Sequence, residues 1–398
     1  MRSREKVQAM DALFAGTTVH RLRMVFLVAA AGSLLTGCAT RVARGLPAPE
    51  TQQPQAIPAP AAVPSPARIP VYPVPYRCIQ PSGYFPNFPA RYQPALRRMD
   101  CILQVRYRLP AQVVLAALRE AHFSRRAVDL MTPSPAMVQK PLPWWEYRDR
   151  FLRPDRLARG TAFWMSHQKL VAHVAARYGV SPFILMGILN IETGFGTFEG
   201  NFPVLDANLS LALGLPGRRQ FFLYQTAETL KLSRRLDVPA ESLRGSEAGA
   251  MGMSQFLASS YLHYGTAWND PPGGAPPNLW TSVPDVLAST ANFFRRHGWQ
   301  PGQPVLVPAM ARWGAHVSFC LQGRHTFRQL LENGIQTKGN IRLPAGLRVG
   351  LVRLQTRHGP RLFVACPNFY VVMDYNHSVF YAATVWAYGR AIERKRLG

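Results

Sequence analysis

One carboxylate is conspicuous for its surroundings. The stretch from Ser181 to Gly196 reads SPFILMGILNIETGFG, and Glu192 is its only charged residue. Phe183, Ile184, Leu185, Met186, Ile188, Leu189 and Ile191 would put apolar groups on nearly every side of a helix. Apolar surroundings disfavour the charged form of a carboxylate. The negative end of a helix dipole disfavours it again. A glutamate so placed keeps its proton near neutral pH, as a general acid must. The structural alternative is a carboxylate paired with a buried arginine or capping a loop.

Two later stretches also carry chemistry. In Gly217-Arg218-Arg219-Gln220 the two arginines are able to meet an anionic substrate group, or to form a solvated charged face. In Ser246-Glu247-Ala248-Gly249-Ala250-Met251-Gly252-Met253-Ser254-Gln255-Phe256 the small residues let a ligand or a second backbone come close. Ser246 is placed to cap a helix there, and Gln255 with Phe256 sets a polar hand beside an aromatic face, a pairing suited to sugars. Trp144, Trp145, Tyr147, Phe151 and Trp164 form an aromatic cluster whose ordinary role is core packing.

The elements that must position these groups read mostly as helices. Ser181 at the cap, Pro182 in the first turn and Gly194 and Gly196 beyond the end predict the Glu192 helix. A helix over Phe163 to Tyr178 precedes it and ends at Gly179, so the two are expected as a hairpin. Tyr92 to Met131 reads as mostly helical, after which Pro133, Pro135, Pro141 and Pro143 break the chain. Asn201 to Leu215 reads as a turn-rich apolar link, Phe221 to Leu236 and Val283 to His297 as helices, and Trp268 to Trp280 as a Pro/Gly loop. Gly350 to Gln355, Arg361 to Ala365 and Tyr370 to Met373 read as short strands, and Phe380 to Arg390 as a closing helix. The fold class is mainly α (α+β), with a small β-rich part near the C-terminus.

The N-terminus speaks to compartment. Arg21 and Arg23 precede an apolar run from Met24 to Leu35, too short to span a bilayer but suited to a signal-peptide core. It ends in Leu35-Thr36-Gly37-Cys38, which resembles the lipobox of bacterial lipoproteins. Cys38 would be lipidated and become the new N-terminus, and Ala39 after it implies outer-membrane sorting. Leu46 to Pro75, rich in Pro, Ala and Gln, predicts an extended tether, which as a unit spans residues 38–75. The other cysteines are Cys78, Cys101, Cys320 and Cys366. An oxidising periplasm permits three pairings of four cysteines, and chain proximity favours Cys78 with Cys101 and Cys320 with Cys366. None forms a C-x-x-C pair, which argues against a zinc or redox site. The formal net charge of +25 draws the chain to polyanions. It carries no recognisable nucleic-acid module, so an acidic wall polymer or anionic lipid is the expected partner rather than nucleic acid.

Taken in order, Glu192-Thr193-x-x-Gly196, Gly217-Arg218-Arg219, Gly245-Ser246-x-Ala248-Gly249-Ala250-Met251-Gly252-x-x-Gln255-Phe256, Asn278-Leu279-Trp280, Asn368-Phe369-Tyr370 and Tyr375-Asn376-His377-Ser378 resemble the membrane-bound lytic murein transglycosylase B family. The resemblance runs from about Trp164 to the C-terminus. It implies a lysozyme-like helical core at 161–300, an additional helical region at 76–160 and a β-rich subdomain with a closing helix at 301–398, after a signal peptide at 1–37. It implies cleavage of the MurNAc–GlcNAc β-1,4 bond of peptidoglycan to a 1,6-anhydro end, with Glu192 as sole acid/base. Ser246, Gln255 and Phe256 would line the cleft, Arg218 and Arg219 would meet lactyl or peptide carboxylates, and Tyr370 and Tyr375 would lie near the sugar groove. Peptidoglycan strands and the outer membrane are the implied partners, with cell-wall synthesis proteins as candidates, and no cofactor is implied.

Family members can carry an EF-hand-like calcium loop before the Asn-Leu-Trp motif. Here Trp268-Asn269-Asp270-Pro271-Pro272-Gly273-Gly274-Ala275-Pro276-Pro277 offers too few oxygens for calcium, so no metal is expected. Two other readings compete. A lysozyme-type hydrolase would need a second carboxylate to activate water, with Glu199, Asp206 and Glu247 available. A non-catalytic peptidoglycan-binding lipoprotein would have no use for a buried acid.

Overall fold

Three short helices open the folded chain, α1 (Gln93–Val105), α2 (Ala111–Glu120) and α3 (Arg125–Met131). The computed structural model describes residues 78–79, 84–132, 142–269, 274–312, 323, 325–339 and 341–397. The leader, Cys38, the tether, Cys320, Asp270 and the prolines Pro133, Pro135 and Pro141 lie outside the described residues. Then follow α4 (Trp144–Asp149), α5 (Pro154–Ser166), α6 (Gln168–Tyr178), α7 (Pro182–Thr193), α8 (Val204–Gly214), α9 (Arg219–Leu236), α10 (Ala258–Tyr264) and α11 (Val283–Arg296). The C-terminal part adds α12 (Phe327–Glu332), α13 (Pro367–Tyr375) and α14 (Val379–Leu397).

The strands are few. β1 (Phe202–Pro203) pairs antiparallel with β2 (Arg244–Gly245). The larger sheet contains β3 (Leu306–Ala311), β4 (His325–Thr326), β5 (Ile335–Thr337), β6 (Arg348–Thr356) and β7 (Gly359–Ala365), in the order β4-β6-β7-β3-β5 and antiparallel throughout. The described chain is thus mostly helical with a curled sheet near its C-terminal end.

Apolar burial divides among three centres. The largest gathers α7, α11, α13 and α14 around Ile184, Leu185, Phe294 and Tyr388. A second joins α1 and α2 to α8 and α9 through Leu96, Leu103, Leu209 and Phe222. The third lies under the sheet, around Val307, Leu330 and Val349. Every residue of α7 from Ile184 to Thr193 is buried. Each large apolar side chain so buried contributes about 1.5–3 kcal/mol.

Several local expectations are corrected. Ser181 occupies the cap position of α7, yet its hydroxyl makes no capping bond. Phe163 to Tyr178 is split at His167 between α5 and α6. At Gly179, in the left-handed conformation, the chain turns by 112° between α6 and α7, so they meet at a corner rather than as an antiparallel hairpin. Asn201 to Leu215 is not a link but mainly α8, which is buried on all sides and so shows no helical periodicity. Tyr370 to Met373 is helical, inside α13, because Pro367 opens a first turn where its missing N–H costs nothing. No helix follows Ser246, where the chain forms turns closed by a bridge between Met251 and Phe256. Among the described residues no single helix is long and apolar enough to cross a membrane.

Candidate active site

Glu192 lies one residue before the end of α7 and is 3% exposed. Beyond it the helix stops in a left-handed Gly194, and the N–H groups of Gly194 and Phe195 close back on the carbonyls of Asn190 and Leu189, both at 3.0 Å. Thr193 fixes this end to the facing loop. Its hydroxyl donates to the Met253 carbonyl at 2.9 Å and accepts from the Gly196 N–H at 2.9 Å. The helix C-terminus and the loop 246–256 are therefore one construction.

That loop is held by its own backbone. Met251 and Phe256 exchange both N–H···O bonds, at 2.8 and 3.0 Å, and the Met253 N–H donates to Leu279 at 2.8 Å. The Ser246 hydroxyl accepts from the N–H groups of Ala248 and Ala250, each at 3.2 Å. Gly252 has φ +66°, and a Cβ there would overlap the Leu279 carbonyl, so the close approach requires glycine. Gln255 takes a positive φ of 51° and donates from Nε2 to the carbonyls of Glu199 at 3.1 Å and Gly252 at 2.9 Å.

Tyrosines complete the wall. The Tyr381 hydroxyl, on α14, donates to Oε1 of Glu192. The Tyr375 hydroxyl, at the end of α13, donates to the Ser254 carbonyl at 2.6 Å, and its ring lies 5.9 Å from that of Phe256. Burial pushes the Glu192 carboxyl up to about 8, and the Tyr381 bond only partly opposes this. The carboxyl therefore holds a proton at neutral pH. Burial, with the Glu192 carboxylate as a further cause, pushes the Tyr147, Tyr375 and Tyr381 hydroxyls up, so all three stay protonated. Glu199, half-buried, is pushed up to about 7 by desolvation.

With this geometry, comparison with known proteins is decisive. The family model described as Transglycosylase SLT domain matches residues 94–390. The chain belongs to the transglycosylase SLT domain family. It is 31% identical over 292 residues to membrane-bound lytic murein transglycosylase B of Escherichia coli K12, covering 72% of this chain and 78% of that protein. Soluble lytic transglycosylase SltB1 of Pseudomonas aeruginosa matches with TM-score 0.69 and 30% identity, over 77% of this chain and 100% of its own. SltB3 of the same organism, solved with NAG-anhNAM-pentapeptide, matches with TM-score 0.64 and 28% identity, over 76% of this chain and 79% of its own. The mainly helical, lysozyme-like fold expected from the sequence is that of these lytic transglycosylases.

Within this transglycosylase domain Glu192, Gln255, Phe256 and Tyr375 come together, and Ser246 roots their loop. Arg218 and Arg219 are engaged locally. The Arg218 guanidinium lies over Phe221 and Phe222, each at 4.9 Å, and Arg219 donates to the Ala212 carbonyl at 3.3 Å. Tyr370 packs against Phe369 at 5.9 Å. Its neighbour Asn368 is a strut, bonded to Gln300 and Gln303. Tyr381 is the residue at Glu192 that the sequence does not mark. Tyr381 stood unmarked beside Tyr375-Asn376-His377-Ser378, although a polar ring in a buried helix was itself a signal.

The described part of the loop between Trp268 and Trp280 does not fit calcium. Asp285 gives one carboxylate oxygen to the Trp268 N–H and the other to the Asn278 N–H, both at 2.9 Å. Asn278 Oδ1 accepts from Trp280 and Thr281 at 3.0 Å. These oxygens are already committed to backbone, and calcium takes six or more. Cys78 and Cys101 form the expected disulfide. Cys366 is buried and without a disulfide among the described residues.

Proposed function

We propose that the chain is a lytic transglycosylase that cleaves the MurNAc–GlcNAc β-1,4 bond of peptidoglycan, with Glu192 as its single acid and base. Protonated Glu192 donates to the glycosidic oxygen, the bond from that oxygen to muramic C1 breaks, and GlcNAc leaves with a free 4-hydroxyl. The carboxylate then takes the proton of the muramic C6 hydroxyl as O6 bonds to C1. The product is a 1,6-anhydroMurNAc end, Glu192 is protonated again and no water is consumed. The substrate N-acetyl group is suited to shelter the positive charge between the steps. Tyr381 holds the carboxyl in register, and Gln255, Phe256 and Tyr375 shape the sugar groove.

The observation that carries this reading is the Glu192 carboxyl buried at the end of an apolar helix in a chain of this family, where burial favours its protonated form. Two-carboxylate glycosidases keep a second, ionised group for water or nucleophile duty. Of the three alternatives, Asp206 is spent on the His122 N–H at 2.9 Å, and burial favours the neutral form of both Glu199 and Glu247. A nucleophile supplied by the substrate removes the need for such a group. The lipobox ending at Cys38 supports a periplasmic enzyme anchored to the outer membrane.

Mass spectrometry of products from purified peptidoglycan, digested by a soluble form lacking the residues up to Cys38, tests this. Anhydro ends from the parent and a loss of about 10²–10⁴-fold in Glu192→Gln are expected. Hydrated reducing ends would favour the hydrolase.

A further inference from the structure

A second concave site lies on another face of α14. Tyr381, Val385, Tyr388 and Ile392 are among its buried residues, and Tyr381 reaches Glu192. Trp386, Arg390 and Arg394, four residues apart, form a neighbouring stripe that faces away from them. That stripe, the β3 backbone and the β6–β7 turn enclose a cavity of about 650 Å³, large enough for a short peptide or oligosaccharide.

Its lining is strongly basic. Arg148, Lys338, Arg357, Arg361, Arg390 and Arg394 supply six cations among nineteen lining residues, against 46 Lys and Arg in the 398-residue chain. Local carboxylates answer only part of this. Asp149 pairs with Arg148 at 2.6 Å and with Arg357 at 2.8 Å, and Glu393 pairs with Arg390. Lys338, Arg361 and Arg394 are exposed and pair with no carboxylate among the described residues. The floor is apolar, with Phe363 edge-on to Trp386 at 5.8 Å. Like charges gathered around one concavity repel, which costs stability unless an anion comes between them. Guanidinium forks above an apolar floor suit carboxylates carried on a partly aliphatic backbone. A concave groove suits a discrete chain better than a flat membrane.

We infer that this groove binds the carboxylate-bearing stem peptides of peptidoglycan, outside the catalytic cleft, and holds the enzyme on crosslinked wall while α7 and α14 present Glu192 to a glycan strand. The inference rests on the peptidoglycan reading above. It makes the groove an affinity site rather than part of the chemistry.

The test compares intact sacculi with sacculi stripped of peptides by an amidase. Binding is measured in the Glu192→Gln background, to prevent digestion, with and without Arg361→Glu/Arg394→Glu. The substitutions should weaken binding to intact sacculi about tenfold, the equivalent of about 1.4 kcal/mol, and leave binding to bare glycan unchanged. Lys338→Ala, an exposed change on a different element, should act in the same direction. With Glu192 restored, the groove variants should cleave a short peptide-free glycan at the parental rate. Equal binding by parent and variant, or equal loss on both kinds of sacculi, would overturn the inference. So would loss confined to vesicles of anionic phospholipid, which would assign the groove to headgroups. Absence of anhydro ends from the parent would instead sink the functional reading, and the binding comparison would still report on the groove.

Discussion

At the scale of single residues the site is built around the cost of burying Glu192. Its carboxyl is raised from an ordinary value of 4.5 to about 8, with burial the main cause. Between those pH values the folded chain keeps a proton that the unfolded chain has released. Stability contributed by this group is thus fully present below pH 4.5, falls as pH rises toward 8, and stays low above it. Glu192→Gln abolishes the titration. Thermal melts should show the variant gaining on the parent as pH rises from 4.5 to 8 and holding that lead above it. A constant difference across the range would mean that Glu192 is not perturbed as described. Sequence alone located this residue, because a lone carboxylate in an apolar run is visible without coordinates. It did not reveal Tyr381, whose partner lies 189 residues away in the chain. Nor did it reveal that Arg218 and Arg219 are engaged beside their own helix, since rings and carbonyls that satisfy an arginine are set by packing.

At the scale of elements, the bond between Tyr381 and Glu192 depends on how closely α7 and α14 cross. Gly187 of α7 lies against the Val385 carbonyl, and Gly389 of α14 against the Phe183 carbonyl, where an added Cβ would overlap the oxygen in each case. The two glycines let the backbones approach, and that approach delivers Tyr381 to Glu192. Gly389→Ala forces the helices apart and should cost about 1–3 kcal/mol. It should also lower turnover more than substrate affinity, because the groove residues Gln255 and Phe256 belong to another element. A melt and steady-state kinetics on one preparation check both effects. Unchanged stability would show that the crossing tolerates the methyl group. Elements with one wet face, such as α11, were legible from their periodicity. Those buried all round were legible only when punctuation marked them. Ser181, Pro182 and Gly194 marked α7, whereas Pro203 and Leu215 left α8 looking like a link. The error at Tyr370 to Met373 has the same root, since a short apolar run is ambiguous between strand and helix.

At the scale of the whole molecule, residues 78 and 79 are held to the N-terminal helices by one clamp. Cys78 is joined to Cys101 of α1 across a sequence separation of 23. Beside it the Gln104 side chain bonds the Ile79 backbone twice, accepting from N–H at 3.1 Å and donating to the carbonyl at 2.9 Å. Helix α1 is packed in turn on α8 and α9, in a packing centre that includes neither Glu192 nor Tyr381. The clamp thus belongs to the second packing centre, not to the α7–α14 crossing. This separation predicts how the molecule answers to loss of the bridge. Cys78→Ala/Cys101→Ala releases a loop whose closure is worth about 2–4 kcal/mol, so the melting transition should fall. Cleavage of a short soluble glycan at 25 °C should be unchanged, since no catalytic contact runs through α1. Dithiothreitol should lower the melting temperature of the parent and leave the double variant unaffected. If the double variant loses activity at a temperature where it remains folded, the N-terminal helices are coupled to the Glu192 site and the clamp is not merely mechanical.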